Sequence, residues 1–283
     1  MPIIQLSWDQ AAWLGAALVV VALAARRWTW PPGRLLAPFA REAGVIALLY
    51  ALWQLAGTLA QHGTAGGLAR GRWIARTEHA WHLPSELGLQ RAPLEHRWLA
   101  YAADIYYATM HFPALFALLL WTFWRHREQY RRLRSLVIGF TGLSLLVQLI
   151  PVAPPRLLPE LGFTDIAARY DQSVYGLGAF SADQLSAVPS VHVGWAVLVG
   201  VYPVLVGGGR WRWLALLHPV LTGYVVMATA NHWWFDGLVA VAVLAVVAAG
   251  QLAWARRRAE LRPGVAGSDQ AAPRMAEHTS CAR

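Results

Sequence analysis

Seven apolar stretches run along the chain, at 11–25, 43–60, 99–124, 133–152, 189–206, 213–231 and 233–254. A helix needs roughly 20 mainly apolar residues to cross a bilayer, and each stretch approaches that length. The pattern predicts an all-α, polytopic membrane helix bundle with about six to seven transmembrane helices. The last two stretches are nearly continuous, parted only by NHWWFDG at 231–237, which reads as a tight turn at one surface. Residues 61–98 have a different pattern. There GRWIARTEHAWHLPSELGLQ mixes Trp, Ile and Leu with charges and is interrupted at Pro84, as in an amphipathic segment lying in the membrane interface. A second polar segment, 153–188, is rich in Pro, Gly, Asp and Tyr. Residues 263–283 are small and polar and read as a disordered tail. No internal repeat is visible, so the expected organisation is one integral-membrane domain, 1–262, with its motif-bearing core at 99–254.

Composition agrees with lipid surroundings. Of 283 residues, 57% are hydrophobic and only 14% charged, against about 25% charged in soluble domains; the mean hydropathy is +0.38. The formal charge of +9 comes from 24 Arg and no Lys. These Arg residues flank apolar runs instead of forming a nucleic-acid patch. RRWTWPPGR, RHREQYRRLR, GGGRWRW and RRRAELR alternate with weakly basic segments, which by the positive-inside rule makes these four cytoplasmic. The first apolar stretch is followed by Arg26 and Arg27, the wrong polarity for a cleavable signal peptide. The single Cys281 excludes an internal disulfide.

With that orientation three polar clusters fall on the non-cytoplasmic side: PVAPPRLL around Arg156, SAVPSVHVGW around His192, and NHWWFDG. Ionisable residues beside hydrocarbon are costly and read as functional. His232 and Asp236, at i and i+4, are expected on one helix face, the carboxylate fixing the ring's tautomer while the other nitrogen attacks. VPSVH reads as a helix start, with Pro189 in the first turn and Ser186 or Ser190 as cap. Its free N–H groups would bind phosphate beside His192, and Arg156, behind Pro154 and Pro155, would add a planar fork of donors. Phosphoryl transfer is the chemistry this set describes.

Plainer readings stand beside this one. Arg156 alone would be an interfacial anchor, and Trp233, Trp234 and Phe235 an aromatic belt. Asp104, Tyr107 and His111 fall at i, i+3 and i+7 on the third stretch, where they could line a substrate pocket or form an interhelical hydrogen-bond cluster. His192, His232 and Asp236 could instead make a two-histidine, one-carboxylate metal site, although a cation beside Arg156 would be repelled. A non-catalytic membrane scaffold is the third alternative.

PSVH followed by HWWFD resembles the P-S-G-H and S-R-x-x-x-x-x-H-x-x-x-D signatures of the type 2 phosphatidic acid phosphatase superfamily. APPR, with DIYYATMH on an earlier stretch, is similar to the branch containing inositol phosphorylceramide synthases. The resemblance covers about Tyr101 to Gly237 and is specific at the three motifs. It implies a metal-independent membrane phosphatase or phosphotransferase without a cofactor, acting at the non-cytoplasmic face of the cell membrane. Its substrate would be a lipid phosphate, polyprenyl phosphate or phosphoinositol-type lipid, its partners membrane lipids and not nucleic acid. By position, His232 would be the phosphorylated nucleophile, Asp236 its orienting carboxylate and His192 the acid. Ser190, the backbone at Val191 and Arg156 would bind phosphate, with Tyr107 and His111 as further candidates. The chain departs from the family's pattern at Leu149 for a Lys, Val226 for an Arg and Val191 for the glycine, so phosphate binding would rest on fewer cations.

Overall fold

A computed structural model describes residues 6–27, 31–62, 64–170 and 185–261; the expected tail, 263–283, lies outside the described residues. Eleven α-helices are described: α1 Trp8–Ala25, α2 Pro31–His62, α3 Thr64–Ala80, α4 Glu86–Glu95, α5 Arg97–Thr109, α6 His111–Arg125, α7 Arg127–Val147, α8 Ile166–Arg169, α9 Val191–Val206, α10 Leu217–Ala228 and α11 Trp234–Glu260. Among the described residues the only extended pairing is an isolated bridge between Val152 and Ser186. The fold is all-helical, as the apolar pattern predicts.

Three helices are long and apolar enough to cross a membrane: α1, α2 over Leu36–Leu59, and α11. A fourth span results if α5 and α6 are counted together across their 48° bend. Composition predicted one continuous stretch at 99–124, but Pro113 lies in the first turn of α6. It has no N–H for the Thr109 carbonyl and its ring crowds that group, which breaks the helix. Two further expected stretches, 189–206 and 213–231, are shorter as helices. α9 has 16 residues and α10 only 12, so at 1.5 Å per residue they reach about 24 and about 18 Å. Residues 213–216, expected to open the sixth stretch, belong instead to a 3₁₀ segment, Arg210–Leu216.

The outer surface is apolar, as lipid requires. Trp13, Phe39, Ile46, Leu205, Val220 and Val246 all project outward, from five different helices. The interior between helices holds small or polar groups at the closest crossings. A Cβ at Gly15 would lie 3.1 Å from the Gly44 carbonyl, so α1 and α2 cross backbone to backbone, a contact that small residues permit in membranes. α2 is tied to α7 by Arg134 Nη1 on Glu42 Oε1 at 2.6 Å.

Two cores position the site. One, formed by Leu115, Phe140, Trp195, Ala240 and Val243, joins α6, α7, α9 and α11. The other lies under the loops and contains Ile74, Val152, Leu158, Phe163, Ala187, Val188, Ala230 and Trp233. Gly194 in α9 faces the Phe140 ring so closely that a Cβ there would overlap the ring atoms. Gly194→Ala should therefore lower stability by about 1–3 kcal/mol through overpacking. The thermal unfolding midpoint in detergent is the measurement, and an unchanged midpoint would mean that Phe140 can move aside.

Candidate active site

His232 owes its place to the way α10 ends. The Ala230 N–H bonds the Met227 carbonyl at 2.9 Å and the Asn231 N–H the Val226 carbonyl at 3.1 Å, the pair of bonds that closes a helix by the Schellman motif. Ala230 takes the left-handed position, φ 54°, which glycine usually fills and which costs an L-residue about 1–2 kcal/mol. Its carbonyl accepts from the Arg156 N–H at 2.9 Å, so the sharp turn also docks the first motif.

His232 then precedes α11 instead of riding on it. The expectation that His232 and Asp236 share a helix face is corrected: Trp233 is the N-cap and Asp236 the third helical residue. Their contact survives in another form. Asp236 Oδ2 accepts from the Trp233 N–H at 2.8 Å and faces His232 Nδ1 at 3.1 Å. The same nitrogen is 3.0 Å from the Ala187 carbonyl. A carbonyl only accepts, so Nδ1 carries the proton and Nε2 keeps its lone pair. Nε2 is buried and has no hydrogen-bond partner.

The second motif meets this nitrogen from α9. Ser190 is the N-cap, its Oγ accepting from Val193 N–H at 3.3 Å. Its own N–H bonds the Asp236 carbonyl at 3.2 Å, locking the two motifs together. Pro189 therefore lies before the cap and not in the first turn, a small correction, and Ser186 pairs with Val152 instead of capping. The His192 ring lies 5.7 Å from that of His232, centroid to centroid. Tyr107 stacks on His192 at 4.4 Å, and His111 meets it edge-on at 4.5 Å. Although the bend at Met110 falls between them, Tyr107 and His111 both reach the site. Val191, where the family has glycine, is the first residue of α9 and has no positive φ. A side chain is tolerated there for that reason.

Arg156, which read alone would be an interfacial anchor, sits in a buried 3₁₀ turn, Pro155–Leu157. Its Nε donates to Asn231 Oδ1 at 2.9 Å and its Nη1 to Asp165 Oδ2 at 3.3 Å. Asn231 is held in turn by its Nδ2 on Thr229 Oγ1 at 2.9 Å. Asp104, left open between pocket and helix contact, is buried near this group, within electrostatic range of Arg156 and Asp165.

Sequence reasoning missed four positioning side chains. Gln148 Nε2 donates to the Pro189 carbonyl at 3.0 Å, and Asn231 was given no role although it lies inside the third motif. Glu78 Oε1 accepts from the Phe235 N–H at 2.6 Å and Glu86 Oε1 from the Trp234 N–H at 3.3 Å. The Asn231 signal was adjacency to His232; nothing local marks the other three. The aromatic-belt reading is corrected for Trp233, which is buried, donates from Nε1 to the Ala153 carbonyl at 2.9 Å and packs edge-on against Phe163.

Among the described residues no group of three His, Cys, Asp or Glu side chains is arranged to hold a metal ion. Asp236 spends Oδ2 on the Trp233 N–H and on His232, so it backs the histidine.

The PAP2 superfamily pattern matches residues 72–250, more than half of the chain, and the chain belongs to that superfamily. Membership points to a phosphatase-type activity on phosphoric esters and fits the membrane-type helices. Neither a curated relative nor a solved structure matches the chain.

Trp233 joins the first and third motifs, and this can be probed alone. Trp233→Phe keeps most of the packing but leaves the Ala153 carbonyl without its indole donor. Stability should fall by about 1–3 kcal/mol, the cost of an unsatisfied buried acceptor plus lost contacts, measured by thermal unfolding in detergent.

Proposed function

We propose that this protein is an integral-membrane lipid phosphatase or phosphotransferase working through a phosphohistidine on His232. The observation that carries the reading is the state of that ring: Nδ1 is held by Ala187 and Asp236, and Nε2 is buried with its lone pair unused. In the reaction the Nε2 lone pair forms a bond to phosphorus as the bond to the leaving alcohol oxygen breaks. Asp236 balances the charge that develops on the ring. The anionic phosphate, once bound, favours the protonated form of His192, which gives its proton to the leaving oxygen and then takes one from the water or alcohol that attacks the phosphohistidine in the second step.

Arg156, the Ser190 hydroxyl and the backbone N–H groups at Val191 and His192 hold the phosphoryl oxygens. Those two N–H groups open α9, ahead of its internal hydrogen-bond ladder. Tyr107 and His111 wall the site beside His192. The substrate is a lipid phosphate, polyprenyl phosphate or phosphoinositol-type lipid, in keeping with a site at the end of apolar helices. The DIYYATMH and APPR segments support the branch that resembles inositol phosphorylceramide synthases.

Turnover of lipid phosphates, read by phosphate release and product mass, tests the reaction class. His232→Ala should abolish turnover and the acid-labile phosphate trapped on the protein; near-normal activity in that variant would overturn the mechanism. His192→Ala should suffer least with substrates whose leaving group needs no proton. Asp236→Asn can keep both Oδ2 contacts through its amide oxygen, so what it loses is charge. A charge-assisted hydrogen bond is worth about 1.5–3 kcal/mol, so kcat should drop about 10–10²-fold. Full activity in folded Asp236→Asn would make the pair structural.

The finer topology is part of the same proposal: six to seven spans, the three motifs outside, and the C-terminal end of α11 in the cytoplasm. Its support is the Arg content of 26–41, 125–134, 210–212 and 256–262. Cysteines placed at 170 and 260 test it in sealed cells, where an impermeant reagent should label 170 only. Labelling at 260 alone would reverse the orientation.

A further inference from the structure

The first turn of α11 is held by two carboxyl groups that the mechanism does not use. Glu78 from α3 takes the Phe235 N–H and Glu86 from α4 the Trp234 N–H. Both residues are buried, at 4% and 5% exposure. Drawn as ions, Glu78 leaves Oε2 buried without a partner, yet its side chain lies within hydrogen-bond reach of Glu86. Two carboxylates cannot hydrogen-bond each other, whereas a carboxylic acid and a carboxylate can, through one shared proton. We propose that Glu78 and Glu86 form such an acid–carboxylate pair, clamping the start of α11 and thereby aiming His232, two residues upstream. The claim that aim matters for turnover rests on the function proposed above; the clamp itself does not.

The surroundings favour this state. The titratable groups that face Glu78 are Glu86 from α4 and Asp236 from α11, both acidic. Burial first, then the Glu86 hydrogen bond and its charge, push the Glu78 carboxyl up to about 9. The sign follows: a folded-state pKa above the unfolded value stabilises the protonated protein. That stability is complete below the ordinary glutamic acid range and is lost as pH rises toward 9. Above that value both groups ionise beside Asp236, and the clamp is pushed apart.

Glutamine at 78 mimics the protonated acid, with an oxygen for the Phe235 N–H and an N–H for Glu86. Alanine has neither. Hydrogen exchange across 231–237 in the full-length protein, in detergent at pH 7, reads the clamp without requiring activity. Glu78→Ala should exchange there at least about tenfold faster with the rest of α11 unchanged, while Glu78→Gln keeps wild-type protection. In turnover assays Glu78→Ala should lose about 10–10² in kcat with KM little changed, the scale of a misplaced reactive group. Glu78→Gln should retain kcat. Unchanged exchange in Glu78→Ala, or Glu78→Gln as damaging as Glu78→Ala, overturns the clamp. If Glu78→Ala does not fold, Glu78→Gln decides alone: its 231–237 protection, taken relative to the intrinsic exchange rate at each pH, should be the same at pH 9 as at pH 7 while the wild type's falls, and identical behaviour of the two overturns the proposal. A wild type that turns over no phosphoric ester counts against the function and leaves the exchange result standing.

Discussion

The first N–H groups of a helix have no partner within the helix, and α11 begins inside the protein where those groups need partners from elsewhere. Trp233, the cap residue, has no side-chain oxygen. Its N–H goes to Asp236, the Trp234 N–H to Glu86 and the Phe235 N–H to Glu78. Three acidic residues therefore crowd one helix start, where the helix dipole favours negative charge. One of them, Asp236, uses the same oxygen to hold His232. The cap and His232 are held by one atom, and whatever fixes one fixes the other.

The surrounding architecture works to the same end from several sides. α10 stops in a left-handed alanine so that His232 can turn inward, and the carbonyl of that alanine fastens the Arg156 loop. Ser190 ties α9 to α11 by its N–H, and Gln148 ties the end of α7 to the loop before α9. α3 and α4 are too polar to span a bilayer, yet they carry the two caps. Segments of modest hydrophobicity thus hold the end of the bundle that carries His232, while the long apolar helices hold its body.

What could be read along the chain was whatever its spacing displayed. His192, His232, Asp236 and Arg156 each sit in a short distinctive string, and the geometry brings all four into one neighbourhood. Glu78 and Glu86 could not be found this way, because about 150 residues separate them from the N–H groups they cap and glutamate on a polar helix is ordinary. Helix number was blurred for a related reason. A hydropathy window sees apolar content and not a break, so the Pro113 bend and the 3₁₀ segment at 210–216 vanished into apolar runs. Trp233 misled in the opposite direction: an aromatic beside a membrane suggests an interface, and only the fold reveals it under Phe163 and the Ala153 carbonyl.

Arg156 does not confront a ligand as a bare cation. Asp165 already lies 3.3 Å from its Nη1, and Asp104 is buried nearby. The cationic charge is thus largely offset within the protein, by a pair whose arginine side is almost wholly sheltered from solvent. Salt screens exposed charges within about 8–10 Å but buried pairs much less. Under the proposed function, phosphate binding at this end of the bundle leans on the directions of its donors more than on long-range attraction.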